Sequence, residues 1–213
     1  MRSLFTSLIV LMMLIFVPAV SYATGMTPLK QMPEGEYVLD ETHSSLVVKI
    51  DHIGLSKYTM RFTDFEAKLL LNPTEPEKST ITASVNPLSI KTEYPHSGEK
   101  DFDKKLSEGE EWLNGLKFPH ITFTATKLGG IEGNKGVMTG DLTMLGETNP
   151  VTFNVTLNGA YENKPFANVA ALGVSANAVI QRSQWGFSTY VPQIGDEVEI
   201  ILELEFHKKG AAE

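Results

Sequence analysis

The chain has 213 residues, with 18 lysines and arginines against 26 aspartates and glutamates, a formal net charge of −8, and no cysteine. A single domain of that size buries a sizeable core unaided, and without thiols neither disulfides nor cysteine chemistry is open to it. The acid excess sets aside nucleic acid and anionic membrane surfaces as partners, since both carry the same sign.

In chain order, Met1 to Val20 carries one charge, Arg2, and an apolar run from Leu8 through Val17. Ser21-Tyr22-Ala23 then offers small residues around a cut after Ala23, which is the layout of a secretory signal. The run is only about ten residues, against roughly 20 for a membrane span. Residues 1–23 are therefore expected to be a cleaved signal that exports the chain, with no stable membrane insertion afterwards. No cysteine follows the run to take a lipid anchor, and cleavage leaves the chain one unit more acidic.

Residues 24–36 read as a short approach to the domain, and strands follow. `SLVVKID` alternates Leu46, Val48 and Ile50 with Lys49 and Asp51, and Tyr58–Leu71 continues in extended character. `TITASV` sets Ile81, Ala83 and Val85 against threonine and serine. `EKDFDKKLSEGEEWLNGLK` breaks the pattern: Phe102 and Leu106, then Trp112 and Leu116, lie four apart with Gly109 between. That spacing predicts two short helical pieces, a flap packed on the side of the sheet. Strand character returns in `HITFTAT` (Ile121, Phe123, Ala125), Val137–Leu145, `VTFNVTL` (Val151, Phe153, Val155, Leu157) and Val169–Gln181. The clearest strand is last: in `DEVEIILELEF`, Val198, Ile200, Leu202, Leu204 and Phe206 alternate with glutamates, interrupted only by Ile201. Residues 208–213 form a tail. Many one-sided strands joined by turns such as `NPTEPEK`, `GGIEGNKG` and `YENKP` describe an all-β antiparallel domain, either a sandwich or a closed barrel.

Two histidines frame the first of these strands. His43 and His52 are nine residues apart, an odd interval that puts them on opposite faces and, at about 3.3 Å per residue, roughly 30 Å from each other. They cannot share a metal. His52 has the parity of Leu46, Val48 and Ile50 and ends the apolar face, whereas His43 lies in a polar approach with Asp40, Thr42 and Ser44. His96, His120 and His207 are isolated, so no metal ligand set is read. `GVSAN` matches a serine nucleophile elbow only in its first three positions. No catalytic residues are assigned, and both histidines are read as structural fittings.

The order of `DETHSSLVVKIDHIG`, `FTDFEAKL`, `LSIKT`, `KFPHITFTATKL`, `GDLTMLGETNPVTFNV` and `IQRSQWGF` resembles the YceI-like family of bacterial, mostly periplasmic, polyisoprenoid-binding proteins. The resemblance runs from about Tyr37 to Phe206. Its matched positions include Asp40, His43, Ser44, His52, Gly54, Phe62, Phe65, Thr92, Asp101, Gly146, Pro150, Arg182 and Gly186. Met60 and Ala67 stand where the family often has glycine, Gln184 where it has an acidic residue, and Trp185 where it has phenylalanine.

The resemblance implies a lipocalin-like closed barrel over 37–207 with an elongated apolar channel. It implies a carried or stored ligand such as a prenyl quinone, another polyisoprenoid or a related long-chain amphiphile, no cofactor, and dimers in some members. Taken with strand parity, it makes Leu46, Val48, Ile50, Phe62, Ile121, Phe123, Leu142, Met144, Val151, Phe153, Ile200 and Leu202 the expected channel lining. His52 becomes a fitting of that wall. Arg182 and Trp185 serve either the polar end of the ligand or strand closure. The residues themselves leave two other readings open: an enzyme using His52 as base within the cavity, and a fully packed interaction or stress-response module.

Overall fold

The computed structural model describes residues 25–210; the expected signal at 1–23 and the end of the tail lie outside them. Eleven strands form one antiparallel sheet: β1 (Gly35–Leu39), β2 (Ser45–His52), β3 (Ser56–Phe62), β4 (Phe65–Leu71), β5 (Thr80–Val85), β6 (Ile90–Lys91), β7 (Ile121–Glu132), β8 (Lys135–Met144), β9 (Glu147–Tyr161), β10 (Ala171–Gln181) and β11 (Ile194–Lys208). Among the described residues one α-helix, α1 (Phe102–Glu108), lies between β6 and β7, beside four short 3-10 turns. β1 begins at Gly35, two residues ahead of the domain start read from the sequence.

The sheet closes because β11 is long enough to pair with two partners. Its first part pairs with β2, from Val198 opposite Ile50 to Glu203 opposite Ser45, and its end pairs with β1, Phe206 opposite Leu39. β1 and β2 are thus two halves of one stave, bent at 40–44. β4 and β3 answer them as a second stave, broken at Thr63–Asp64, so the single run expected over Tyr58–Leu71 is two strands. β5 and β6 are a third, interrupted by the turn Pro87–Ser89. With β7 to β11 these make a closed barrel of eight staves, which settles barrel over sandwich.

Period-two patterning fixes which side chains enter. Along β11, Val198, Ile200, Leu202 and Leu204 face the interior cavity, and Glu197, Glu199, Glu203 and Glu205 take the other face. One end of the barrel is closed by Tyr37 and Phe206, each 0% exposed, clustered with Leu69, Leu71 and Leu172, which also line the interior cavity. The other end has its own apolar cluster, including Leu106, Trp112, Leu113 and Trp185. Phe123 lies across β8 at Gly140: a Cβ there would meet the ring at 2.4 Å and the Thr124 carbonyl at 2.5 Å, so only glycine fits.

The expected flap exists in part. Asp101 caps α1 by accepting from the Lys104 amide at 2.8 Å, and Asp103 takes the Thr92 amide (2.8 Å) and hydroxyl (2.5 Å), tying the helix to β6. The second piece, Trp112–Leu116, is not helical: it is a series of turns with Asn114 in the left-handed region at φ 45°. At the β2–β3 hairpin, Ile53 (φ 51°) and Gly54 (φ 73°) form a two-residue turn closed by Leu55 N–H to His52 C=O, 3.1 Å. Asparagine or glycine is the usual first residue there, and a β-branched one costs about 1–2 kcal/mol.

Candidate functional site: an apolar cavity inside the barrel

The interior holds a cavity of about 620 Å³. Its wall is largely apolar: most of its polar lining residues, Asp51, His52, Ser56, Tyr58, Tyr94, Lys100 and Arg182, belong to β2, β3, the segments around α1 and the β10–β11 connection, and Ser79 and Thr122 lie apart from them. Tyr94 and Tyr58 flank Phe102 at 5.6 and 6.2 Å between ring centroids, and the Lys100 ammonium lies 5.2 Å from the same ring. One end of the cavity therefore carries polar atoms and aromatic edges, and its length carries aliphatic side chains. Between its lining residues Ile194 and Leu204, β11 advances roughly 33 Å, or about 25 Å along the axis of a barrel tilted near 40°. That is space for a long, thin molecule.

Strand parity brings most of the expected residues to this wall. Leu46, Val48, Ile50 and His52 arrive from β2, Phe62 from β3, Ile121 and Phe123 from β7, Leu142 and Met144 from β8, Phe153 from β9, and Ile200 and Leu202 from β11. Phe123 and Phe153 meet edge to face, 5.3 Å between centroids. Val151 and Trp185 do not reach it: both are buried in the core, at 4% and 1% exposure, but off the cavity wall. Several wall residues were absent from the expectation. Leu69, Leu71, Ile81, Ala83 and Ala176 follow the same alternation and were readable from it. Phe102, Leu106, Trp112 and Leu113 were not, because the α1 segment fills the gap between β6 and β7 and so becomes wall instead of an external flap. Met60 and Ala67, the departures from glycine, both point into the cavity and narrow it.

Arg182 touches the cavity, but four of its five N–H groups are committed to the frame. It is 1% exposed, and its guanidinium donates to four backbone carbonyls: Gly195 (2.9 Å), Phe187 (3.0 Å), Thr189 (2.8 Å) and Ile194 (3.0 Å). The Phe187 ring covers it at 4.7 Å. Burial lowers its pKa, opposed by the charge of Asp196. Trp185 likewise spends its indole N–H on the Leu142 carbonyl, 3.0 Å away. Of the two roles open to this pair, strand closure is the one the geometry fills: Arg182 knits the β10–β11 connection to itself. Gln184 is exposed and does not alter the cavity.

The two histidines part company. His52 ends β2 at the polar end of the cavity. His43 is outside the barrel, where Asp40, His43 and Glu205 place potential ligand atoms within 4.8 Å of one another. Asp40 Oδ2 is the hub, 2.7 Å from His43 Nδ1 and 3.4 Å from His207 Nε2. The Lys164 ammonium reaches Glu205 and lies 3.9 Å from Asp40, so the cluster is charge-compensated from within. Burial would raise the Asp40 pKa, but hydrogen bonds from Thr42 and His43 outweigh it and hold the carboxyl well below the usual range. The network ties the bend at 40–44 to β11 and to the β9–β10 loop. Ser175 of `GVSAN` is on the outer face of β10, bonded to Asn158 and Glu203, with no histidine among its partners.

No helix among the described residues is long and apolar enough to cross a membrane. The YceI-like domain family model matches residues 37–206. Protein YceI of Salmonella arizonae is 30% identical over 172 residues, 80% of this chain and 85% of that protein. Among solved structures, the Campylobacter jejuni YceI protein superposes with a TM-score of 0.65 at 27% identity, covering 76% of this chain and 91% of that one. BcnA of Burkholderia cenocepacia gives 0.66 at 21% identity over 78% and 98%, and shares the fold. A polyisoprenoid-binding domain from Saccharophagus degradans shares it too, at 0.53 and 12% identity over 82% and 99%. On the family match and the Salmonella relative, this chain belongs to the YceI-like family.

Proposed function

We propose that the chain is an exported carrier or store that holds one long-chain amphiphile, a polyisoprenoid such as a prenyl quinone or a close analogue, inside the barrel. The observation that carries this reading is a long, largely apolar cavity whose polar side chains gather mostly at the β2–β3 hairpin end. The name of the Saccharophagus degradans domain supports the same ligand class. Burying hydrocarbon contributes roughly 0.8 kcal/mol per CH₂. A tail of about 20 carbons therefore exceeds the roughly 8–12 kcal/mol of a micromolar to nanomolar complex, leaving room for ordering costs. Selectivity falls to channel length and to the few polar groups at the Asp51–His52–Ser56 end.

Binding, not catalysis, suits these groups. Asp51 Oδ1 already accepts the Gly54 amide at 2.7 Å, as part of the hairpin turn. The periplasm, reached through the signal read at 1–23, is the compartment where such a carrier would work. The test is direct: purify the protein from the exported fraction without detergent, extract it with organic solvent and identify the extract by mass spectrometry. A stoichiometric prenyl or other long-chain species is expected. An empty extract, repeated after exposure of folded protein to prenyl lipids, overturns the reading.

A further inference from the structure

We propose that the tip of the β2–β3 hairpin, with Ile53 and Leu55 at its apex and Tyr190 beside it, seats the protein on a zwitterionic lipid bilayer with the polar end of the cavity toward the membrane. This rests on the lipid-carrier reading and names the partner from which the same cavity is filled.

Ile53 is 53% exposed, Leu55 82% and Tyr190 58%. They share one end of the molecule: the Ile53 amide donates to Gln193 C=O (2.9 Å), and the next residue, Ile194, donates to Tyr190 C=O (2.8 Å). A Cβ built on Gly54 meets nothing within 4 Å, so the apex is open on that side. The backbone makes the aliphatic apex conspicuous, because Ile53 holds φ 51° where asparagine or glycine would be relaxed. The apex is also continuous with the cavity: the flanking residues His52 and Ser56 both line it.

Two considerations select the occupant. A second copy of the chain needs about 800 Å² per partner for a stable dimer, far more than three side chains supply. A bilayer takes inserted side chains one by one, with tyrosine suited to the headgroup level. The charge then selects the lipid. The hairpin's lysine, Lys57, is 3.3 Å from Glu199, and the whole chain carries −8, so an anionic surface gains nothing from it. A zwitterionic surface, held by insertion and not by charge, fits.

The experiment uses the protein purified from the exported fraction, phosphatidylcholine vesicles and the variant Ile53→Asn/Leu55→Gln. Flotation should show wild type on the vesicles, little changed by raised salt, and the variant bound about tenfold more weakly. The thermal midpoint of Ile53→Asn should equal or exceed wild type, because asparagine relaxes the turn; loss of binding is then not loss of fold. Binding of a fluorescent long-chain fatty acid, added as monomer without vesicles, should be unchanged in the variant. If that probe binds neither protein, the carrier reading falls while flotation still decides the docking. Equal flotation of wild type and variant, or no flotation of wild type, overturns the proposal. So does a wild-type dimer, seen by sedimentation, that the variant abolishes.

Discussion

At the scale of single residues, Arg182 and Asp40 commit their polar groups to the frame of the barrel. Arg182 has four of its N–H groups on four carbonyls at 2.8–3.0 Å. Arg182→Met strands those carbonyls in a buried place, and should cost about 4 kcal/mol, read as a shift in urea midpoint. Lysine should rescue little, since one ammonium cannot copy the planar fork. The folded fraction of either variant should keep wild-type ligand preference, because the guanidinium is committed to those carbonyls. Asp40 makes a second prediction, through pH. Its folded pKa is depressed, so the stability it contributes is present above the unfolded value near 4 and is lost as pH falls toward the folded value. Asp40→Asn removes that contribution. Urea midpoints of the two proteins should therefore differ most near neutrality and converge as pH drops below about 5.

At the scale of elements, the cavity's calibre is set where β7, β8 and β9 pass one another. Phe123 of β7 lies over Gly140 of β8 and against Phe153 of β9. Phe123→Trp extends a ring into the channel and should weaken binding of long tails more than short ones, measured by titration with a chain-length series; equal losses would remove Phe123 from the lining. Gly140→Ala should be worse, because the new methyl is blocked by the Thr124 carbonyl as well as by the ring, and overpacking of that kind costs about 1–3 kcal/mol.

The same elements show what can be read without coordinates. Alternation on a period of two is a statement about which way each side chain points, and closure turns it into a statement about wall and exterior. That is why twelve apolar positions follow from strand parity once the resemblance supplies a channel, and why eleven of them, all but Val151, line the cavity. Parity says nothing about how deep a residue sits along the axis, and Val151 shares the inward face of Phe153 yet packs beyond the cavity. Nor can parity read the α1 segment, whose wall residues follow no strand period. The break at Thr63–Asp64 follows from pairing with distant strands, whereas the bend at 40–44 leaves a local mark in the polar run of Asp40, Thr42 and Ser44, where Thr42 and His43 bond back to Asp40.

At the scale of the whole molecule, a closed frame around a space of about 620 Å³ has a thermodynamic consequence. An unfilled apolar space forfeits the contacts that pack an ordinary core, so the frame is less stable empty than filled. A ligand that binds only the folded barrel adds RT ln(1 + [L]/Kd), about 2.7 kcal/mol when it stands at 100 times its Kd. For a domain of this size that corresponds to roughly 5–10 °C in midpoint. Protein stripped of lipid by organic extraction and refolding should therefore melt lower than the protein as purified. Adding back a long-chain amphiphile should restore the difference, and tails too short to reach from the Asp51–His52–Ser56 end to the Leu172–Leu204 end should restore less. The increment should saturate when tail length matches the channel, because carbons beyond it stay in water. Calorimetry across a chain-length series reads that plateau directly. A midpoint that is indifferent to stripping and to every tail length would mean the space is not a ligand's, and the walls would have to be explained as core.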